Sequence, residues 1–135
     1  MPTATSIRPV RTPPPAGTET ERTRVFLVCS GLGNVRRGYE AFFRDCFEVL
    51  RGQPGIDVWL FKGAGVDGER DISLLHLRRS GFAARIVGDI TRRGPYVVEQ
   101  ATFVPGLVPH LIAKRPHVVY YCDPTIGRLL AHWRR

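Results

Sequence analysis

Residues 25–29, Val-Phe-Leu-Val-Cys, are five apolar residues in a row. Unbroken apolarity over so short a run, without polar alternation, predicts a strand covered on both faces, as in a parallel sheet. Ten residues later the period changes. Tyr39, Phe42, Phe43, Cys46, Phe47 and Leu50 recur three and four apart and form one wide apolar stripe on a helix. Its other face carries Glu40, Arg44, Asp45, Glu48 and Arg51, with Glu40 and Arg44 in the favourable i,i+4 order for an ion pair. Gly-Gln-Pro-Gly at 52–55 ends this helix, and Ile-Asp-Val-Trp-Leu-Phe at 56–61 predicts a second strand. Strand, helix, strand is the unit from which parallel α/β sheets are built.

The rest of the chain continues the alternation less clearly. Lys62-Gly63-Ala64-Gly65 is a second glycine-bearing loop after a strand. Residues 71–81 predict a short helix stopped by Gly81, and Ala84–Val87 a weak third strand. Residues 88–95 read as a loop. From Tyr96 to Lys114 the pattern is helical but holds Pro105 and Pro109, which predicts a break or two helices. His117–Tyr121 is the last strand. Asp123 then suits a helix cap, with Pro124 in the first turn and a stripe of Ile126, Leu129, Leu130 and Trp133. The expected fold is α/β, a Rossmann-like parallel sheet with helices on both faces. Residues 1–22, with five prolines before Glu21 and little to bury, predict a disordered tail, and residues 23–135 one domain.

The formal net charge is +8, supplied almost entirely by arginine, since Lys62 and Lys114 are the only lysines. This balance suits a phosphate-bearing, nucleic-acid or anionic-membrane partner. Paired arginines at 36–37, 78–79, 92–93 and 134–135 lack interleaved aromatics or a recognition-helix motif, which disfavours nucleic acid. Three cysteines, Cys29, Cys46 and Cys122, lie in or beside apolar runs, which predicts reduced thiols and a cytoplasmic location. No Cys/His spacing suggests a metal, and no apolar run reaches the roughly 18 residues of a membrane span.

In an open parallel sheet, ligands bind beyond the carboxyl ends of the strands. Three segments lie there: residues 30–38, 62–65 and 122–125. In the first, Gly31 and Gly33 let a ligand approach the main chain, the helix opening near Gly38 offers free N–H groups, and Arg36 and Arg37 add charged donors. Asp123 is a candidate contact at the last strand's end. Neither GxGxxG nor GxxxxGK[ST] is present, because Arg36 stands where the third glycine belongs and no lysine follows Gly38. No nucleophile has a partnered base, so no catalytic residue is assigned. Of the four histidines, His76 and His117 read as structural.

GLGNVRRGYEAFFRDCFEVL followed by GIDVWLFKGAG resembles the opening of the retaining glycosyltransferases of GT-B fold. The matching pieces are Gly31, Gly33, Arg37-Gly38 and Glu40. LVPHLIAKRPHVVYYCDPTIGRLL resembles a later segment of the same family, with His117 where an aspartate is usual. The resemblance covers residues 24–135. It implies the amino-terminal, acceptor-side domain of a two-domain enzyme that uses a nucleotide sugar donor and a sugar or lipid-linked acceptor. No cofactor or bound metal is implied. Gly31, Gly33, Arg36, Arg37 and Gly38 would face the donor phosphates, with Asp123 on the acceptor side. The resemblance also implies a carboxyl-terminal domain that these residues do not include, so the chain alone would be inactive, and a peripheral position at an anionic membrane surface is compatible with it. The alternatives are a stand-alone α/β protein that binds phosphate or nucleotide, and a module for nucleic acid or anionic surfaces.

Overall fold

A computed structural model describes residues 21–33, 38–77 and 81–133. The expected tail lies outside these residues except for Glu21 and Arg22, and so do Arg36 and Arg37. The elements in chain order are β1 (Thr23–Cys29), α1 (Gly38–Arg51), β2 (Ile56–Lys62), β3 (Asp71–Ser73), α2 (Phe82–Thr91), α3 (Pro95–Lys114), β4 (Val118–Tyr121) and α4 (Pro124–Trp133). The four strands form one all-parallel sheet in the order β3-β2-β1-β4. The fold is α/β and Rossmann-like, with helices on both faces.

The apolar run of β1 divides between those faces as a period of two requires. Phe26 and Val28 point to one side, into a core with Phe61 of β2, Phe103, Leu107 and Leu111 of α3, and Ile126 of α4. Leu27 and Cys29 point to the other, against Phe43 and Phe47 of α1 and Val58 and Leu60 of β2. Burial on both sides leaves no position in β1 for a polar residue after Arg24. The α1 stripe docks as expected through Phe43 and Phe47, while Tyr39 and Phe42 at its margin stay exposed.

Between Asp71 and Thr91 the expectations are reversed. Residues 71–73 form a strand, not the start of a helix, because pairing with Leu60–Lys62 of β2 supplies their backbone partners. Asp71 is also held from both sides: Lys62 Nζ lies 2.8 Å from its Oδ1 and Arg44 Nη1 2.6 Å from its Oδ2. The Arg44 contact replaces the expected pairing of Arg44 with Glu40. Residues 82–91 form helix α2 where a weak strand over Ala84–Val87 and a loop from Gly88 were expected. Ala84 and Gly88, one turn apart, are its buried residues, and the helix packs on α3. Small side chains at that spacing allow close approach, so the apolar Phe82, Ile86 and Ile90 are left facing outward.

Helix α3 is one continuous element of 20 residues with Pro105 and Pro109 inside it, where a break or two helices was expected. Both prolines lie on the exposed side, whereas Phe103, Leu107 and Leu111 bury the opposite side in the core. That burial offsets the hydrogen bonds each ring removes. In α4, Ile126 is fully buried and Leu130 packs on the same cluster, while Leu129 is exposed. Among the described residues, no helix is long and apolar enough to cross a membrane.

At the amino ends of the strands a polar network closes the sheet. Arg24 Nε donates to Asp57 Oδ2 at 2.6 Å, Arg70 Nη1 lies 2.8 Å from Oδ1, and the Trp59 indole donates to Oδ1 at 3.1 Å. Arg24 also donates to the Lys114 carbonyl, and the Lys114 ammonium sits 3.6 Å from the Trp59 ring centre. The backbone N–H of Arg24 donates to His117 Nδ1, so His117 is structural as expected. Burial alone would lift the Asp57 carboxyl, but the Arg24 hydrogen bond, the Trp59 N–H and the two arginine charges outweigh it and hold it below its ordinary value. A depressed folded value means that the stabilisation is present above the ordinary value of 3.8 and is lost as pH falls through the folded one. Asp57→Asn is therefore expected to cost about 1.5–3 kcal/mol at neutral pH in chemical denaturation. The gap from wild type should shrink as pH falls below 3.8. A gap that persists unchanged to about pH 2 would show that the charge of Asp57 is not what stabilises this end.

Candidate functional site

The strand order β3-β2-β1-β4 reverses direction between β1 and β4. At such a switch point the chain leaves the sheet in opposite directions from two neighbouring strands, and a crevice opens at their carboxyl ends. Here the crevice is a cleft of about 860 Å³ between the start of α1 and the end of β4. Gly38, Tyr39, Glu40, Phe42 and Phe43 line one side; Tyr120, Tyr121, Cys122, Asp123 and Pro124 line the other, with Tyr96 of α3.

Asp123 organises the cleft. It is buried, and its Oδ2 accepts both the backbone N–H and the hydroxyl of Ser30, each at 3.0 Å. Its Oδ1 accepts the Tyr96 hydroxyl at 3.2 Å and the Gln100 amide at 3.3 Å. Four donors compensate for the desolvation of one carboxylate. They also tie the end of β1, the first turns of α3 and the entrance to α4 to a single point. Asp123 does stand at the cap of α4, since its carbonyl accepts the Gly127 N–H. The side-chain part of capping is taken by Gln100, whose Oε1 accepts the Thr125 N–H at 2.9 Å. Asp123 lines the cleft, but its oxygens are engaged from within the protein.

Glu40 is the opposite case. It sits in the first turn of α1, is 8% exposed and lines the cleft, and its Oε2 has no hydrogen-bond partner among the described residues. The positive end of the α1 dipole favours its charge there. A buried carboxylate oxygen left without a donor costs about 1–3 kcal/mol, and more when charged. Around it the walls are aromatic: Phe43 and Tyr120 stack with ring centres 5.4 Å apart, and Phe42 lies 6.4 Å from Tyr120. Tyr121 is set by a glycine. A Cβ at Gly127 would stand 2.2 Å from its ring, so only glycine lets the ring lie flat on α4.

The glycine loop is partly explained by packing. Leu32 accepts the N–H groups of Gly63 and Ala64 through its carbonyl, which docks the loop after β1 onto the loop after β2. Gly33 has φ +87°, and a Cβ there would meet the Ala64 carbonyl oxygen at 2.1 Å. The space freed at Gly33 is thus filled by Ala64. Gly31 is buried. At Gly38, by contrast, a Cβ would meet nothing within 4 Å among the described residues. Arg36 and Arg37, the charged members of the expected phosphate-facing set, lie outside the described residues. Among the described residues no group of three or more His, Cys, Asp and Glu is placed to hold a metal.

Of the residues singled out from sequence, Asp123 and Gly38 line one cleft, and Gly31 and Gly33 lie beside it in the loop that docks on Ala64. Ser30, Tyr96 and Gln100, which hold Asp123, were not anticipated, and neither was the burial of Glu40. Comparison with protein-family models, with curated proteins and with solved structures finds no match to this chain. The geometry separates the two glycines by measurement. Gly33→Ala is expected to destabilise by about 1–3 kcal/mol through the left-handed backbone and the contact with Ala64. Gly38→Ala should leave the thermal midpoint unchanged or slightly raised, as alanine is the better helix former. Equal effects of the two would contradict the docking of the loops.

Proposed function

We propose that the chain is the acceptor-side part of a glycosyltransferase, and that the switch-point cleft receives a hydroxyl-bearing sugar or lipid-linked acceptor. The observation that carries this reading is Glu40 Oε2, without a hydrogen-bond partner among the described residues, in an aromatic cleft at the carboxyl end of a parallel sheet. A carboxylate accepts hydrogen bonds from hydroxyl groups, and aromatic faces cover the apolar C–H face of a sugar ring. Few convergent polar groups on an apolar wall are the usual make-up of a small-molecule site. Two carboxylates on that wall disfavour a phosphate in the same place. The cleft therefore suits the acceptor, and the donor diphosphate belongs beside it, near Gly38 at the start of α1, with Arg36 and Arg37 as the candidate charged donors from sequence.

The reaction would join the acceptor oxygen to the sugar's anomeric carbon as the bond from that carbon to the diphosphate oxygen breaks. Charge develops on the leaving diphosphate, and N–H donors and cationic side chains lower the barrier where they act on that charge as it appears. The resemblance of residues 31–50, 55–65 and 107–130 to retaining GT-B enzymes supports the assignment, and it puts the donor-holding glutamates in a second domain. Acceptor binding without turnover is accordingly the expected behaviour of these 135 residues.

Glu40→Gln separates binding from folding. Replacing a buried carboxylate whose Oε2 has no donor among the described residues should keep or raise the denaturation midpoint. The same change should weaken binding of simple glycosides by about tenfold, the loss of one charge-assisted hydrogen bond of roughly 1.4 kcal/mol. Saturation-transfer NMR with a panel of neutral glycosides, followed by titration of the best binder, measures this. A panel without a binder, or binding indifferent to Glu40→Gln, would remove the acceptor reading.

A further inference from the structure

Two of the three cysteines meet at the rim of the cleft. Cys29 ends β1, and Cys122 follows the last residue of the neighbouring β4. The β1–β4 register pairs Val28 with Tyr121, so Cys29 and Cys122 are the next positions in step. Both side chains turn to the α1 side of the sheet, Cys29 within the cluster of Leu27, Phe43 and Phe47 and Cys122 packed against it. The Cys122 thiol approaches the Cys29 sulfur to 3.9 Å. Neighbouring strands run about 4.7–4.9 Å apart, within the Cα separation of roughly 4.4–6.8 Å that a disulfide accepts. With the sulfurs 3.9 Å apart on paired strands, bond formation needs them to close by roughly 1.9 Å, to the disulfide length of about 2.05 Å.

The two thiols differ in access. Cys29 is 1% exposed, while Cys122 is half-buried and lines the cleft. The Cys122 contact and burial push the Cys29 thiol well above the ordinary thiol range, so Cys29 is protonated at rest. One thiol is open to a small oxidant, and the other waits behind it.

We propose that Cys29 and Cys122 are a peroxide-responsive pair that closes reversibly into a disulfide across β1 and β4. The Cys122 thiolate attacks one oxygen of hydrogen peroxide. An S–O bond forms, the O–O bond breaks, and the leaving hydroxide takes the proton that Cys122 released, giving water and a sulfenic acid. The Cys29 sulfur then attacks the Cys122 sulfur. The S–S bond forms, the S–O bond breaks, and the departing hydroxide takes the Cys29 proton as a second water. Two thiols and one peroxide give one disulfide and two waters. A dithiol reverses it by exchange. The Cys29 thiol 3.9 Å away protects the first product, since a sulfenic acid with a thiol at hand condenses before a second oxidation. The ordinary role of such residues is packing as small apolar side chains, and that role predicts no special chemistry between them.

Intact mass after brief treatment of the full chain with hydrogen peroxide separates the two roles. The pair predicts a loss of about 2 Da, the two thiol hydrogens, restored by dithiothreitol. After unfolding, the alkylatable cysteines should fall from the three present to Cys46 alone, and a peptide map should join the Cys29 and Cys122 peptides. Cys46→Ser should keep the effect, and Cys122→Ser should abolish it. The wild-type peptide map decides the matter even if a substituted chain does not fold. Three alkylatable cysteines after peroxide, a bridge to Cys46, or gains of about 16 Da per added oxygen without the 2 Da loss would each overturn the proposal.

Discussion

One buried carboxylate holds the carboxyl end of the sheet together. Asp123 is almost out of water, so its carboxyl oxygens must find their donors within the protein. The donors come from three places: Ser30 at the end of β1, Tyr96 in the first turn of α3, and Gln100 one turn further on. Gln100 in turn accepts from Thr125 and so completes the start of α4. An unmade bond to any of them would leave a charge in a dry place, so the strand ends and helix starts have one mutual arrangement that satisfies all. The cleft walls follow from that arrangement. Tyr120 and Tyr121 precede Asp123, and Gly127 follows it, so their positions relative to α1 are set by the same point.

With Asp123 saturated from inside, the chemistry available to a ligand falls to Glu40 and the aromatic wall. The pairing partner that the sequence offered Glu40 is drawn away: Arg44 bonds Asp71, which Lys62 also holds. This contact joins α1 to β3 and leaves Glu40 facing the cleft. A carboxylate oxygen at 8% exposure with no donor among the described residues costs stability, and such a sacrifice is typical of a binding site. The opposite end of the sheet shows the contrast. There Asp57 has Arg24, Arg70 and Trp59, and nothing is left over for a ligand.

Much of this was legible in the sequence, for reasons that can be stated. The unbroken run of β1 and the three-and-four spacing of α1 reflect burial, and burial is what residue type reports most directly. Asp123 was identifiable because the carboxyl end of a strand is where an α/β fold exposes its ligand crevice. Residues 71–91 were not legible. The strand Asp71–Ser73 exists through pairing with β2, a long-range fact, and α2 buries Ala84 and Gly88 while its large apolar residues face out. Apolar Phe82, Ile86 and Ile90 do recur at one-turn spacing, which was the available clue. The continuous α3 needed knowledge that Pro105 and Pro109 face solvent while the intervening side anchors the core. At the site, Gly33 was marked as a place where a ligand reaches the main chain, but what approaches it in this structure is the Ala64 main chain.

The central claim is that a neutral, hydroxyl-rich ligand occupies the cleft between α1 and β4. Amide chemical-shift mapping with a glycoside that binds tests it most directly. The account predicts shifts confined to Tyr39–Phe43, Tyr120–Asp123 and Ser30, with little change at Arg24, Asp57 and Arg70 at the far end of the sheet. Shifts centred on that far end, or on the exposed face of α2 around Ile86 and Ile90, would contradict it.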